Sequence, residues 1–67
     1  MPENCIALID QLIDLRIEKG MTQRDLAVAA GVAQPMIARL ERKTTIPQLN
    51  TLLKITEALG CTLTLTK

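Results

Sequence analysis

Gly31 and Pro35 stand four positions apart, and that interval constrains the middle of the chain more than any other feature. Proline fits only the first turn of a helix, where no backbone N–H is needed. A helix therefore starts near Ala33 and runs to about Arg42. Gly31 supplies the left-handed residue that helix C-termini favour, so a preceding helix stops at Ala30. Thr22 is a good N-cap for that helix. Asp25, three residues on, completes a capping box with Asp in place of Glu. Two short helices, 22–30 and 33–42, thus meet across a tight turn.

The remaining turn signals divide the rest of the chain. Gly20 closes a first helix over about 3–19. Pro47 precedes a fourth over about 48–59, which Gly60 ends. On a wheel of about 100° per residue, Cys5, Ile6, Leu8, Ile9, Leu12, Ile13, Leu15 and Ile17 fill an arc of roughly 200° on the first helix. That arc is wider than one small core needs. Arg16 points into its middle, so it either meets a buried carboxylate or snorkels to solvent over Leu12 and Ile9. Asp10 and Asp14 read as a solvated helix surface rather than a catalytic pair. After Gly60 the pattern changes to alternating Leu and Thr, which predicts a short strand over 61–66.

Composition narrows the chemistry. The 67 residues make a single domain, 1–67, and a 48% apolar share is too high for a disordered chain. There is no Ser and no His, so neither a Ser-His-Asp triad nor a Cys-His pair can form. Cys5 and Cys61 lie at opposite ends, form no CxxC and cannot close a tetrahedral zinc site. A disulfide between them is open on paper, but with no signal peptide they read as small buried thiols of a cytoplasmic protein. No stretch approaches the length of a membrane span. The absence of aromatic side chains argues against base stacking on single strands. These exclusions leave no enzyme, no metal and no cofactor to expect.

The two central helices carry the functional signal. Ala27 is small where they cross, and Leu26, Val32, Ile37 and Leu40 lock their angle. On the second of them, Met36, Ile37 and Leu40 share the inner side, with Glu41 at its border. Gln34, Pro35, Ala38, Arg39 and Arg42 occupy the other side, which bears no acid. The run from Leu15 to Gly60, carried by "LRIEKGMTQRDLAVAAGV", "ARLERKTTIP" and "LLKITEALG", resembles the Cro/C1-type (XRE-type) helix-turn-helix family of transcriptional regulators.

The resemblance implies a compact, all-α, lambda-repressor-like DNA-binding domain of four to five helices with one short C-terminal strand. It implies an internal ion pair between Arg16 and Glu41, which would answer the puzzle of Arg16. It assigns base contacts in double-stranded DNA to Gln34, Pro35, Ala38 and Arg39. Phosphate contacts fall to Gln23, Arg24, Arg42, Lys43, Thr44 and Thr45. Two departures weaken the match. Ala33 stands where the family often has a Ser or Thr cap, and Pro35 and Ala38 replace polar residues. The physics fits: a major groove admits an α-helix, Arg reads guanine and Gln reads adenine. Arg24, Arg39, Arg42 and Lys43 gather around the motif, while Asp10, Asp14 and Glu18 fall elsewhere. Few basic groups mean few phosphates neutralised, hence moderate affinity per subunit.

The strand 61–66 needs a partner that the chain lacks, which predicts a homodimer. In that arrangement Leu63 and Leu65 of one copy cover Ile9 and Ile13 of the other, beside Ile6 and Ile17. A two-fold dimer would present two recognition helices to a palindromic operator. The leading expectation is a homodimeric repressor. The alternatives are an antitoxin that also binds a toxin protein, or a protein-interaction module without DNA binding.

Overall fold

The computed structural model describes residues 3–65 and contains four helices: α1 (Glu3–Glu18), α2 (Gln23–Ala30), α3 (Gln34–Glu41) and α4 (Leu49–Ala58). Each lies within the range that its turn signals define. The capping box forms as read. Thr22 Oγ1 accepts from the Asp25 N–H at 3.0 Å, and Asp25 Oδ2 accepts from the Thr22 N–H at 2.9 Å. Pro35 occupies the first turn of α3, behind an N-cap, Ala33, that makes no side-chain bond.

One kind of turn ends the helices. At Gly31, φ is +71°, and the next N–H, that of Val32, reaches back to the Ala27 carbonyl at 3.0 Å. This six-to-one bond satisfies a carbonyl that the end of α2 would otherwise leave open. The same bond runs from Met21 to Arg16 behind α1, from Thr44 to Arg39 behind α3 and from Cys61 to Thr56 behind α4. Glycine sits at the left-handed position in three of these turns. Lys43, with φ +61°, sits there in the turn after α3.

Ile9, Leu12, Leu26, Ala27, Ala30, Ile37, Leu40, Leu52, Ile55 and Leu59 form the core. α2 packs against both α3 and α4, and α1 reaches α3. Ala27 and Ala30 are the small side chains that let α2 approach its neighbours. The buried hydroxyl of Thr56 donates to the Leu53 carbonyl at 2.9 Å, and no buried side-chain N or O among the described residues lacks a partner. No helix among them is long and apolar enough to cross a membrane.

Two sequence expectations are corrected here, the strand and the place of Met36. Residues 61–65 form no strand, and Thr66 lies outside the described residues. The reason is the one that motivated a partner: a lone extended segment has nothing to pair with in its own chain. Leu63, half-buried, packs against the core of its own chain. Ile9 is 2% exposed and belongs to that core. Met36, expected inside, is 39% exposed, because α3 turns it toward the loop before α4 rather than toward α2.

Candidate nucleic-acid interface

The candidate recognition surface lies on α3. Ile37 and Leu40 anchor it in the core, which turns Gln34, Pro35, Arg39 and Arg42 outward, with Ala38 half-buried between them. α3 has no acidic residue in its first turn, and its single carboxylate, Glu41, is drawn away from solvent.

Arg16 is what draws it. Arg16 Nε donates to Glu41 Oε2 at 2.6 Å, and Arg16 Nη2 donates to Oε1 at 2.9 Å. This two-pronged geometry is the strong form of an arginine–carboxylate pair. Arg16 Nη1 donates to the Met21 carbonyl at 2.7 Å, which ties the turn after α1 into the same knot. The two side chains are only 14% and 13% exposed, so each would be costly to bury without the other. The arginine in the apolar arc of α1 is therefore paired, not snorkelling.

Gln23 joins this network. Its Nε2 donates to Glu41 Oε1 at 3.0 Å, so the first residue of α2 is fastened to the last residue of α3. A primary amide carries two N–H donors, and this bond uses one of them. Sequence reasoning placed Gln23 at the interface but missed its bond to Glu41. The two residues are 18 positions apart, and no local pattern joins them.

The other expected phosphate contacts divide. Arg24 and Arg42 are exposed. Thr44 is exposed, with its hydroxyl donating to the Arg39 carbonyl at 3.1 Å, and Thr45 is half-buried. Lys43 makes a contact within the chain. Its Nζ turns back to α1 and lies 2.8 Å from Asp10 Oδ1. Asp10 is accordingly not an unpaired surface acid remote from the motif. No local pattern links positions 10 and 43, so this pair is not legible from spacing. Beside α3, a groove of about 300 Å³ is lined by Met36, Leu40, Thr45, Ile46, Pro47, Gln48 and Thr51.

A positively flanked outer helix, set by a left-handed turn against a capped partner, is helix-turn-helix geometry. Residues 12–65 match the helix-turn-helix family. The chain belongs to that family. Helix-turn-helix relatives agree with this. An uncharacterized HTH-type transcriptional regulator of Haemophilus influenzae is 50% identical over 60 residues, covering 90% of this chain and 61% of the relative. The HTH-type transcriptional regulator DdrOP3 of Deinococcus deserti is 38% identical over 55 residues, covering 82% of this chain and 43% of the relative. The chain thus spans less than two-thirds of the length of either regulator. Among solved structures, a toxin–antitoxin module from Streptococcus pneumoniae superposes with a TM-score of 0.78 at 43% identity. That match covers 97% of this chain and 71% of the other. The helix-turn-helix family is one of transcription regulators, not of enzymes.

Proposed function

We propose that this helix-turn-helix chain binds double-stranded DNA sequence-specifically and represses transcription as a homodimer, with α3 in the major groove. The observation that carries the reading is the outer face of α3. Gln34, Pro35, Arg39 and Arg42 stand exposed there, while the one nearby carboxylate is locked to Arg16. In the proposed complex Arg39 reads guanine through O6 and N7, and Gln34 reads adenine through N6 and N7. Pro35 and Ala38 offer apolar contact to a thymine methyl. Gln23, Arg24, Arg42, Thr44 and Thr45 hold the phosphate backbone. Such a repressor works in the cytoplasm, on a palindromic operator.

The dimer contact is proposed to use what the core leaves uncovered. On α1, Ile17 is 60% exposed and Ile13 half-buried, and Leu65 is fully exposed at the end of the described chain. A monomer by light scattering at tens of micromolar would overturn this part.

Selection of bound DNA from a random duplex pool, at low and near-physiological salt, tests the whole. Enrichment of a palindrome with half-sites one turn apart, about 34 Å, is the expected result. Weak, salt-sensitive binding with no enriched sequence would reduce the activity to phosphate contact and favour a protein-interaction module instead.

A second reading is favoured by the Streptococcus pneumoniae toxin–antitoxin module, which this chain resembles along nearly its whole length. In it the chain is an antitoxin that represses its own operon and also binds a toxin protein. Co-expression with the product of the neighbouring gene tests it. A stable heterocomplex supports the antitoxin role, and separate elution of the two proteins rejects it.

A further inference from the structure

We propose that Asp10 is a positioning residue for DNA recognition: with Arg16 it holds the C-terminal end of α3 at two points along α1, and Lys43 is its counterpart rather than a phosphate ligand. This inference rests on the DNA-binding reading above.

Both ion pairs among the described residues join α1 to the end of α3. Arg16 takes Glu41, and Asp10 takes Lys43 at 2.8 Å. Asp10 and Arg16 are six residues apart on one helix, which separates them by about 9 Å along its axis. A single polar attachment adds little to the control of tilt that the buried Ile37 and Leu40 already give. Two attachments separated by that distance resist a change of tilt. The other end of α3 has no such hold, since Ala33 makes no side-chain cap. Core packing of Ile37 and Leu40 seats α3, and the ion pairs that add to it both lie at its C-terminal end.

The charges also fix which attachment goes where. Along α1 the order is acid, then base, and along the end of α3 it is also acid, then base. Each α1 residue pairs with the opposite charge, Asp10 with Lys43 and Arg16 with Glu41. Exchanging the partners would set Arg16 against Lys43 and Asp10 against Glu41, two like-charge encounters. The arrangement selects one register and disfavours the other.

The turn itself supplies an independent observation. Behind α1, α2 and α4 the left-handed position is glycine, with φ of +70°, +71° and +71°. Behind α3 it is Lys43 at φ +61°, a conformation that L side chains seldom adopt. Glycine would relax the turn but would have no ammonium to offer Asp10. The lysine side chain has a task at this site, and in the free protein that task is the bond to α1.

Positioning and phosphate binding predict different outcomes. A phosphate ligand contributes to all duplexes alike, so losing it weakens specific and non-specific binding together. A positioning pair acts on base reading, so losing it lowers the ratio between them. The experiment measures affinity for the selected operator and for an unrelated duplex of equal length. It compares the wild-type chain, D10N, K43M, K43D and the charge-exchanged D10K/K43D. Taking the ratio cancels the general effect of changing net charge. D10N and K43M should each lower the ratio by about threefold or more, and the exchanged chain should recover it to within about twofold. Equal loss on both duplexes in K43M would make Lys43 a phosphate ligand and overturn the proposal. An unchanged ratio in D10N would overturn it as well, as would an exchanged chain no better than K43D. Thermal melting of each variant checks folding. Asp10 is exposed, so D10N decides the matter even if the exchanged chain does not fold. A wild-type chain that shows no preference for any duplex would instead remove the DNA-binding reading, and this proposal with it.

Discussion

Single residues in this chain differ sharply in what they can lose. Arg39 is exposed and fixed only by its helix, so its removal should leave the fold alone. If it reads a guanine, Arg39→Ala should cost ~1–3 kcal/mol of operator binding and relax preference at one base pair. An unchanged preference profile in a competition assay would exclude that role. Gly31 is the opposite case. A Cβ added there meets nothing within 4 Å, so the cost is conformational alone, set by φ of +71°. Gly31→Ala should therefore lower unfolding free energy by about 1 kcal/mol, measured by denaturant titration. A cost near zero would mean that the turn relaxes out of the left-handed region.

At the level of elements, α2 has its stability concentrated at its start. The Thr22 N–H, and after it the Thr22 hydroxyl, hold the Asp25 carboxyl below the ordinary aspartate range, with Arg24 adding to the effect. The sign follows from linkage: a carboxyl whose pKa is depressed by folding contributes stability above its unfolded pKa of about 3.9. That contribution is lost as pH falls through the folded value. Asp25→Asn should thus flatten the acid limb of a stability–pH profile below about pH 4. Parallel profiles for the two proteins would show that the capping box does not titrate with folding.

The elements were also the most legible part of the sequence. Thr22, Asp25, Gly31 and Pro35 act through the backbone within a few residues, so helix ends and the central turn are written locally. The partners of Arg16 and Lys43 are not. The charge of Arg16 inside an apolar arc announced that some carboxylate was needed, and only the family resemblance pointed to Glu41. Asp10 on an exposed face announced nothing. Met36 was misjudged because a wheel sorts residues around one helix and does not see the loop at Ile46 and Pro47 that receives it. The tail was misjudged for a related reason. Alternation in 61–66 describes a strand that needs a partner, and its own chain supplies none.

For the molecule as a whole, the described residues occupy 32 × 24 × 21 Å around a core with no aromatic side chain. A core of this size supports little stability alone, and association is a usual remedy. Ile17 and Leu65 are the exposed apolar side chains proposed for it. Ile17→Glu should convert a dimer to a monomer in sedimentation, with little change in the melting of each subunit, and should weaken operator binding steeply. A dimer that persists would move the contact elsewhere, to the Ile46 and Leu49 side of the molecule, where both residues are also exposed.

The two ion pairs on α1 bear on this assembly. The helix that grips α3 at Asp10 and Arg16 is the helix proposed to meet the second copy at Ile13 and Ile17. In that proposed dimer the distance between the two recognition helices would be set through α1. There α1 would serve as a ruler. Changes that shift its partner contact should alter the number of base pairs tolerated between half-sites, while the letters read within each half-site stay the same.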